Sequence, residues 1–324
     1  MTNTSRTVAG IDTGKAYLEI AVHRRPAASR RVENNKAGWV LLIAHLRAEG
    51  VSLIGIEATG GYERGVVEAL RAEGFRVVVH QPLQIKAFAK MRLRRAKNDR
   101  LDAALIAAFT DLLDPERAER EPPDPRLSAF ADRLVFIEQA HEDSARATLR
   151  LEHQRDPRLR RQLEADVRRA DQRAQRELKR LIAEIRAHAD LAERFDLLLT
   201  IAGIGPPTAV HLLVQMPELG RMSREEAAAL AGLAPFDDDT GQHCGERHIM
   251  GGRARVRTAL YAAALPASFR WNPALVALYK RLLAKGKPHK QALVACARKL
   301  LIYANTVLAR GTPWCDHPPK RAAG

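Results

Sequence analysis

Four carboxylates in the first third of the chain stand where metal-assisted phosphoryl transfer would need them. Asp12 ends an apolar run in AGIDTGK, and Glu57 ends another in LIGIEATGGY. A carboxylate at a strand end is held by the sheet while the flanking loops stay open to a ligand. Asp99 and Asp102 lie at i and i+3 in KNDRLDA, which puts both on one face of a helix. Such a set supplies hard oxygen ligands for Mg²⁺ or Mn²⁺. Paired metals there could activate an attacking oxygen and stabilise a leaving one. Each carboxylate alone has a plainer reading: Asp12 before Thr13-Gly14 closing a turn, Asp99 capping a helix with Asp102 in its first turn. The order of all four on one pattern of elements favours the metal site.

The cations point the same way. Lys86, Lys90, Arg92, Arg94, Arg95, Lys97 and Arg100 crowd the approach to the Asp99/Asp102 pair, as a nucleic-acid path into a metal site would. Arg247, Arg253, Arg255 and Arg257 form a second group. Arg253 and Arg257 share a face of a helix opening after Gly251-Gly252, where backbone N–H groups could also receive a phosphate; an ordinary basic helix start is the alternative. Gly203-Ile204-Gly205 resembles a helix-hairpin-helix turn that grips phosphate through backbone amides, or is a plain helix connection. Over the whole chain, 53 Lys and Arg against 38 Asp and Glu give +15 and a pI near 10.2. That balance favours a polyanionic partner over a merely solvated basic surface. His80 and His211, in apolar segments, read as core or surface residues.

These groups need elements to hold them. Residues 7–12, 16–23, 30–32, 52–56 and 75–80 read as strands, and 38–48, 62–72, 83–91 and 99–109 as helices, which makes an α/β sheet. PERAEREPPDP at 115–125 breaks the chain. Leu159, Leu163, Val167, Ala170, Ala174, Leu178, Leu181 and Ile185 then step by threes and fours, a coiled-coil or helical-hairpin seam. From 197 onward the chain reads as helices around a polar loop at 234–252. The expected division is 1–114, an α/β domain with the carboxylates; 115–196, a proline-rich linker and coiled coil; 197–310, a mostly helical domain; and 311–324, a loose tail. Cys244, Cys296 and Cys315 offer neither a disulfide framework nor a zinc site. No leader-like N-terminus and no uninterrupted apolar run of about 18 residues is visible, so a cytoplasmic, nucleoid-associated protein without a membrane is expected.

AGIDTGK, IEATGGY and KNDRLDA resemble the three blocks of the DEDD transposases of insertion sequences, with the related Piv-type DNA invertases. TIAGIGPPTA, the segment from LAGLAPF to ALYAAA, and KQALVACARKLL resemble the C-terminal blocks, so the likeness covers nearly the whole chain. It implies a ribonuclease-H-like (RuvC-like) first domain whose Asp12, Glu57, Asp99 and Asp102 bind Mg²⁺ or Mn²⁺. It also implies a recombinase that exchanges strands between donor and target DNA, guided by a structured bridge RNA, as a homo-oligomer, dimer or tetramer. The family places a nucleophilic serine in a D-S-G block; here the block reads Asp239-Thr240-Gly241. Threonine keeps the hydroxyl but adds a methyl group to the in-line path. Thr240 is therefore the expected nucleophile; the alternatives are a structure-specific nuclease using water, or a catalytically silent nucleic-acid-binding copy.

Overall fold

The computed structural model describes residues 6–92, 99–113, 124–236 and 248–315, with the backbone alone for Asp99, Arg100, Leu101 and Phe236. The chain divides into two compact units, Met1–Pro122 and Pro123–Gly324.

The first unit is a five-stranded sheet of order β3-β2-β1-β4-β5. Its strands are β1 (Val8–Thr13), β2 (Tyr17–Val22), β3 (Arg25–Glu33), β4 (Leu53–Glu57) and β5 (Arg76–His80). β1, β2 and β3 run antiparallel to one another in turn, and β1, β4 and β5 run parallel. β3 is longer than the expected strand at 30–32. It begins after a two-residue turn in which Arg24 takes φ 60°, without the Gly or Asn that signals such a turn. It also carries Pro26, which an edge strand tolerates.

The two faces of the sheet bury different helices. Ala9, Ile11, Ile54 and Ile56 pack with Leu42 and Leu46 of α1 (Lys36–Ala48) and Val66 and Leu70 of α2 (Arg64–Ala72). The opposite face takes α4 (Asp99–Leu112), with α3 (Pro82–Met91) packed on it through Ile85, Phe88, Leu105 and Ile106. Here Gly10 and Gly55, partners in register, let the helix backbone lie against the sheet. A Cβ on Gly10 would stand 2.2 Å from the Ala103 carbonyl oxygen and 2.3 Å from the Ala107 nitrogen. One on Gly55 would stand 1.9 Å from Thr110 Oγ1.

Among its described residues the second unit is helical apart from two two-residue strands. α5 (Pro125–His153) and α6 (Pro157–Ala187) fold back on each other, each started by an aspartate cap and a proline. Leu127, Phe130, Leu134 and Ile137 share a core with Ala174, Leu181 and Ile185. The end of the expected seam is thus buried against the chain's own partner helix. Arg133 bridges to Glu177 at 2.6 Å and also to Glu184. The same core extends into α7 (Ala189–Leu199), α8 (Pro206–Gln215), α9 (Arg224–Leu230), α10 (Ala254–Pro266), α11 (Pro273–Ala284) and α12 (His289–Arg310). The 234–252 stretch, expected as a polar loop, contains an antiparallel pair of β6 (Pro235–Phe236) and β7 (His248–Ile249). By length and composition alone, α12 is apolar enough to cross a bilayer. Its Leu293, Cys296, Ala297, Leu300 and Leu301 are instead buried in the core, and Arg298-Lys299 interrupts it.

Because backbone atoms fill the space beside Gly10, they cannot rotate away from a new side chain. Gly10→Val should cost on the order of 3 kcal/mol of first-unit stability in urea unfolding. Gly50→Ala, at φ 64° with nothing within 4 Å, should cost about 1 kcal/mol. Equal costs would contradict the close helix–sheet contact.

Candidate functional site

Side chains alternate along a strand, so the residues two steps beyond the glycines point to the same face as they do. These are Asp12 and Glu57. Ile11 pairs with Ile56 on parallel strands, so Asp12 and Glu57 occupy the next step, side by side at the strand ends. The direction of α4 brings Asp102 to the same edge. Arg6, before β1, donates to the carbonyls of Asp111 and Leu113 at the helix end, the second at 2.6 Å. Gly10, midway along β1, meets Ala103 and Ala107. The helix therefore runs opposite to β1, and its start lies toward Asp12. The N-terminal end of a helix dipole also favours the negative charge gathered there.

A carboxylate not anticipated from the sequence flanks this row. Glu19 of β2 is the register partner of Asp12, and directly opposed residues of antiparallel strands share a face. Its charge is matched by Arg31, whose guanidinium bonds to it and lies 5.5 Å from the Tyr17 ring centroid. Asp12, Tyr17, Glu19 and Arg31 border a hollow of about 220 Å³. The alternation in YLEIAV, with Leu18, Ile20 and Val22 buried, was the available signal for Glu19. Asp12, Glu57 and Asp102 are hard-oxygen donors that the strand ends and the helix start carry toward one sheet edge, and in type they suit a divalent cation. Among the described residues no three His, Cys, Asp or Glu side chains are grouped at metal-holding distance; the side chain of Asp99 is outside that set.

His80, next to Glu57 in register on β5, locks the helix to the sheet. Thr110 Oγ1 donates its hydrogen to the Ile106 carbonyl at 2.7 Å, so His80 Nε2 must donate to Thr110 Oγ1 at 2.8 Å. Burial lowers this histidine to a pKa of about 4, consistent with a neutral ring that keeps Nε2–H.

Of the first basic group, Lys86, Lys90 and Arg92 are exposed on or just after α3, and Arg92 covers the Phe88 ring at 5.0 Å. Arg94, Arg95 and Lys97 lie outside the described residues, and Arg100 is described by its backbone alone. In the second unit, Thr240 and Arg247 lie in the undescribed span between β6 and β7. The base of that hairpin is braced by arginines. Arg253 grips both carboxylate oxygens of Glu218, at 2.6 and 2.7 Å, and donates to the Gln215 carbonyl at 2.7 Å. Arg257 donates to the Gly251 carbonyl at 2.7 Å. Arg255 reaches Glu138 at 3.1 Å, beside His211, which burial lowers to about 4. Gly203, at φ 104°, has a packing reason, since its missing Cβ would meet the Ala267 methyl at 2.5 Å. Gly205 precedes α8, where Pro206 and Pro207 remove two of the amide donors a phosphate grip would use.

Two family models match the chain: one described as a transposase (DEDD type, IS110) over residues 9–156, and one as the IS116/IS110/IS902 transposase family over 195–280. The chain is 28% identical over 325 residues to the pilin gene-inverting proteins of Moraxella lacunata and Moraxella bovis, covering 96% of itself and 98% of each. It is 31% identical over 134 residues to an IS110 insertion-element protein of Streptomyces coelicolor, covering 41% of itself and 33% of that protein. Among solved structures, T. thermophilus RuvC in complex with a Holliday junction substrate matches 33% of this chain and 92% of its own, at 17% identity and TM-score 0.26.

A histidine lowered by folding adds stability that is complete above its unfolded pKa of about 6.5. That stability is lost as pH falls toward about 4, the folded value for both His80 and His211. Nitrogen-15 NMR of the imidazoles, assigned by His80→Gln, should show His80 as the Nε2–H tautomer down to about pH 4. Titration near the ordinary value would contradict its burial against Thr110.

Proposed function

The chain belongs to the IS116/IS110/IS902 transposase family and is a DNA transposase or recombinase, and from that premise we propose that it exchanges DNA strands with its metal-binding carboxylates and the hydroxyl of Thr240. The observation that carries this is the Gly10–Gly55 docking of α4, which turns Asp12, Glu57 and the start of α4 to one edge of the sheet. Asp12, Glu57, Asp99 and Asp102 of this RuvC-like unit would hold Mg²⁺ or Mn²⁺. The bound cation would supply charge stabilisation at the phosphate under attack. The carboxylates orient that phosphate. Thr240 Oγ forms the new bond to phosphorus, and the deoxyribose oxygen leaves carrying a proton. A phosphothreonine link conserves the energy of the broken ester, so a second strand can be joined without free ends. Arg253 and Arg257 support the role of Thr240 by fixing the base of its loop.

The wider reading is a cytoplasmic recombinase whose donor and target DNA are chosen by a structured guide RNA. Its homo-oligomer, dimer or tetramer, places active units on both duplexes. The basic α3 segment, with Lys86, Lys90 and Arg92 exposed, supports a nucleic-acid path along it. Threonine in place of serine is the one observation favouring a second reading, a nucleic-acid-binding copy that kept the fold and lost the chemistry; a metal-dependent nuclease that uses water is the rival enzyme.

A trapped reaction should yield a denaturant-stable protein–DNA adduct that peptide mapping assigns to Thr240. Thr240→Ala should abolish it; undiminished cleavage by Thr240→Ala gives the lead to the nuclease. Asp12→Ala or Asp102→Ala should abolish cleavage while leaving nucleic-acid binding intact. Neutralising Arg92, Arg94 and Arg95 together should lower the slope of log affinity against log salt by roughly one for each phosphate they neutralise in the parent. An unchanged slope would remove that segment from the path.

A further inference from the structure

The C-terminal end of α10 carries two large aromatic rings in water on a backbone that has no freedom to withdraw them. Pro266 has no N–H and cannot continue the helical ladder. The chain passes into a π-helical turn, Ala267–Trp271, closed by Asn272 N–H donating to the Ala267 carbonyl at 3.0 Å. Such single π-helical turns are frequent at functional sites. Both ends are pinned. Ala267 and Ser268 are buried, with Gly203 pressed on Ala267. Asn272 is fully buried, donates to the Ala202 carbonyl at 2.9 Å and caps α11 through Leu275 N–H at 3.2 Å. The residues between must face out: Phe269 is 51% exposed and Trp271 58%.

Phe269 is also fixed in orientation. It meets Tyr279 edge-on, with centroids 5.2 Å apart, and lies parallel to His289 at 6.2 Å. Tyr279 and His289 are joined by a 2.6 Å hydrogen bond. Exposed Arg270 stands between the two outward rings, and exposed Lys287 and Lys290 flank His289. Between Glu246 and Asp316 the sequence contains no Asp or Glu. Rigid rings among cations, in a stretch of chain without acidic residues, fit a polyanion that offers flat faces.

We propose that the Phe269–Trp271 turn is a stacking platform for unpaired DNA, with Arg270, Lys287 and Lys290 drawing in the flanking phosphates. Bases inside a duplex are already stacked on one another, whereas an unpaired base has an open face for an aromatic ring. α10 has 13 residues, so the platform stands about 20 Å along the helix from the base of the Thr240 hairpin. Strands opened for exchange must be held apart from their complements, and this surface suits that task. The inference rests on the chain acting on DNA and is independent of Thr240 as nucleophile.

The full-length protein should be titrated, without metal, into a short fluorescein-labelled oligothymidine, into a duplex of equal length and into oligouridine. Fluorescence anisotropy then reads equilibrium binding with no chemistry. The Phe269→Ala/Trp271→Ala double variant should bind oligothymidine about tenfold more weakly, with duplex affinity changed by less than about twofold. Its salt slope should match the parent's, since every cation that meets a phosphate is still present. The Phe269→Tyr/Trp271→Phe variant, which keeps both rings, should bind as the parent does. Unchanged oligothymidine affinity in the alanine variant, or an equal loss on duplex, would overturn the platform. Parent binding to oligouridine about tenfold tighter than to oligothymidine, and abolished by the same substitutions, would overturn the assignment to DNA.

Discussion

The first unit depends on two missing side chains. Gly10 and Gly55 sit side by side on adjacent parallel strands, and α4 lies against them with its backbone almost touching the sheet. A methyl group at either position would overlap helix atoms, so the helix would have to lift. The consequence reaches the chemistry through periodicity alone. Two residues further along the same strands, on the same face, stand Asp12 and Glu57, and α4 runs so that its first turn, with Asp102, lies at that end. Packing therefore sets where the carboxylates stand. The neutral His80, bonded to Thr110, secures the other half of the helix.

The second unit solves a different problem, holding the β6–β7 pair on a helical core. Arg253, at the N-cap position of α10, ties the hairpin base to Glu218, and Gly252 packs directly on Gly232. An arginine fork bound to both carboxylate oxygens is rigid in a way that a lone basic side chain is not. Further along the same helix, in a stretch of chain without acidic residues, Pro266 gives way to a π-helical turn and aromatic rings face solvent. One helix thus connects a braced loop base to an exposed aromatic surface.

The strand and helix order of the first unit is legible in the sequence, because alternation and apolar runs of fixed length report a sheet covered on both faces. So are Asp12, Glu57 and Asp102 as residues of one edge. β3 is longer than its local signals suggest, because its turn lacks glycine and Pro26 disguises an edge strand. The glycine pair is invisible, since Gly10 and Gly55 become meaningful only once β1 and β4 pair in register. The alternation in YLEIAV marks the face of Glu19, but its place beside Asp12 emerges only once β1 and β2 pair in register. Arg253 reads as a free cation because Glu218 is far away in sequence, and no local pattern announces an ion pair that the fold creates. Gly203 reads either as part of a phosphate grip or as a plain helix connection, and its contact with Ala267 comes from residues distant in sequence packed across it. Thr240 stands out only through the resemblance, because a hydroxyl in a polar loop has no periodicity to mark it.

The central claim is that glycine-mediated docking of α4 makes the carboxylates of the sheet edge and the helix start a single cation site. Electron paramagnetic resonance of a Mn²⁺ titration tests it without any DNA. The parent should bind Mn²⁺, and Asp12→Asn and Asp102→Asn should each weaken binding by at least about tenfold. Gly10→Ala, which removes no ligand, should weaken it as well while circular dichroism shows the chain still folded. A folded Gly10→Ala protein with parental Mn²⁺ affinity, or an Asp102→Asn protein that binds as the parent does, would contradict the account.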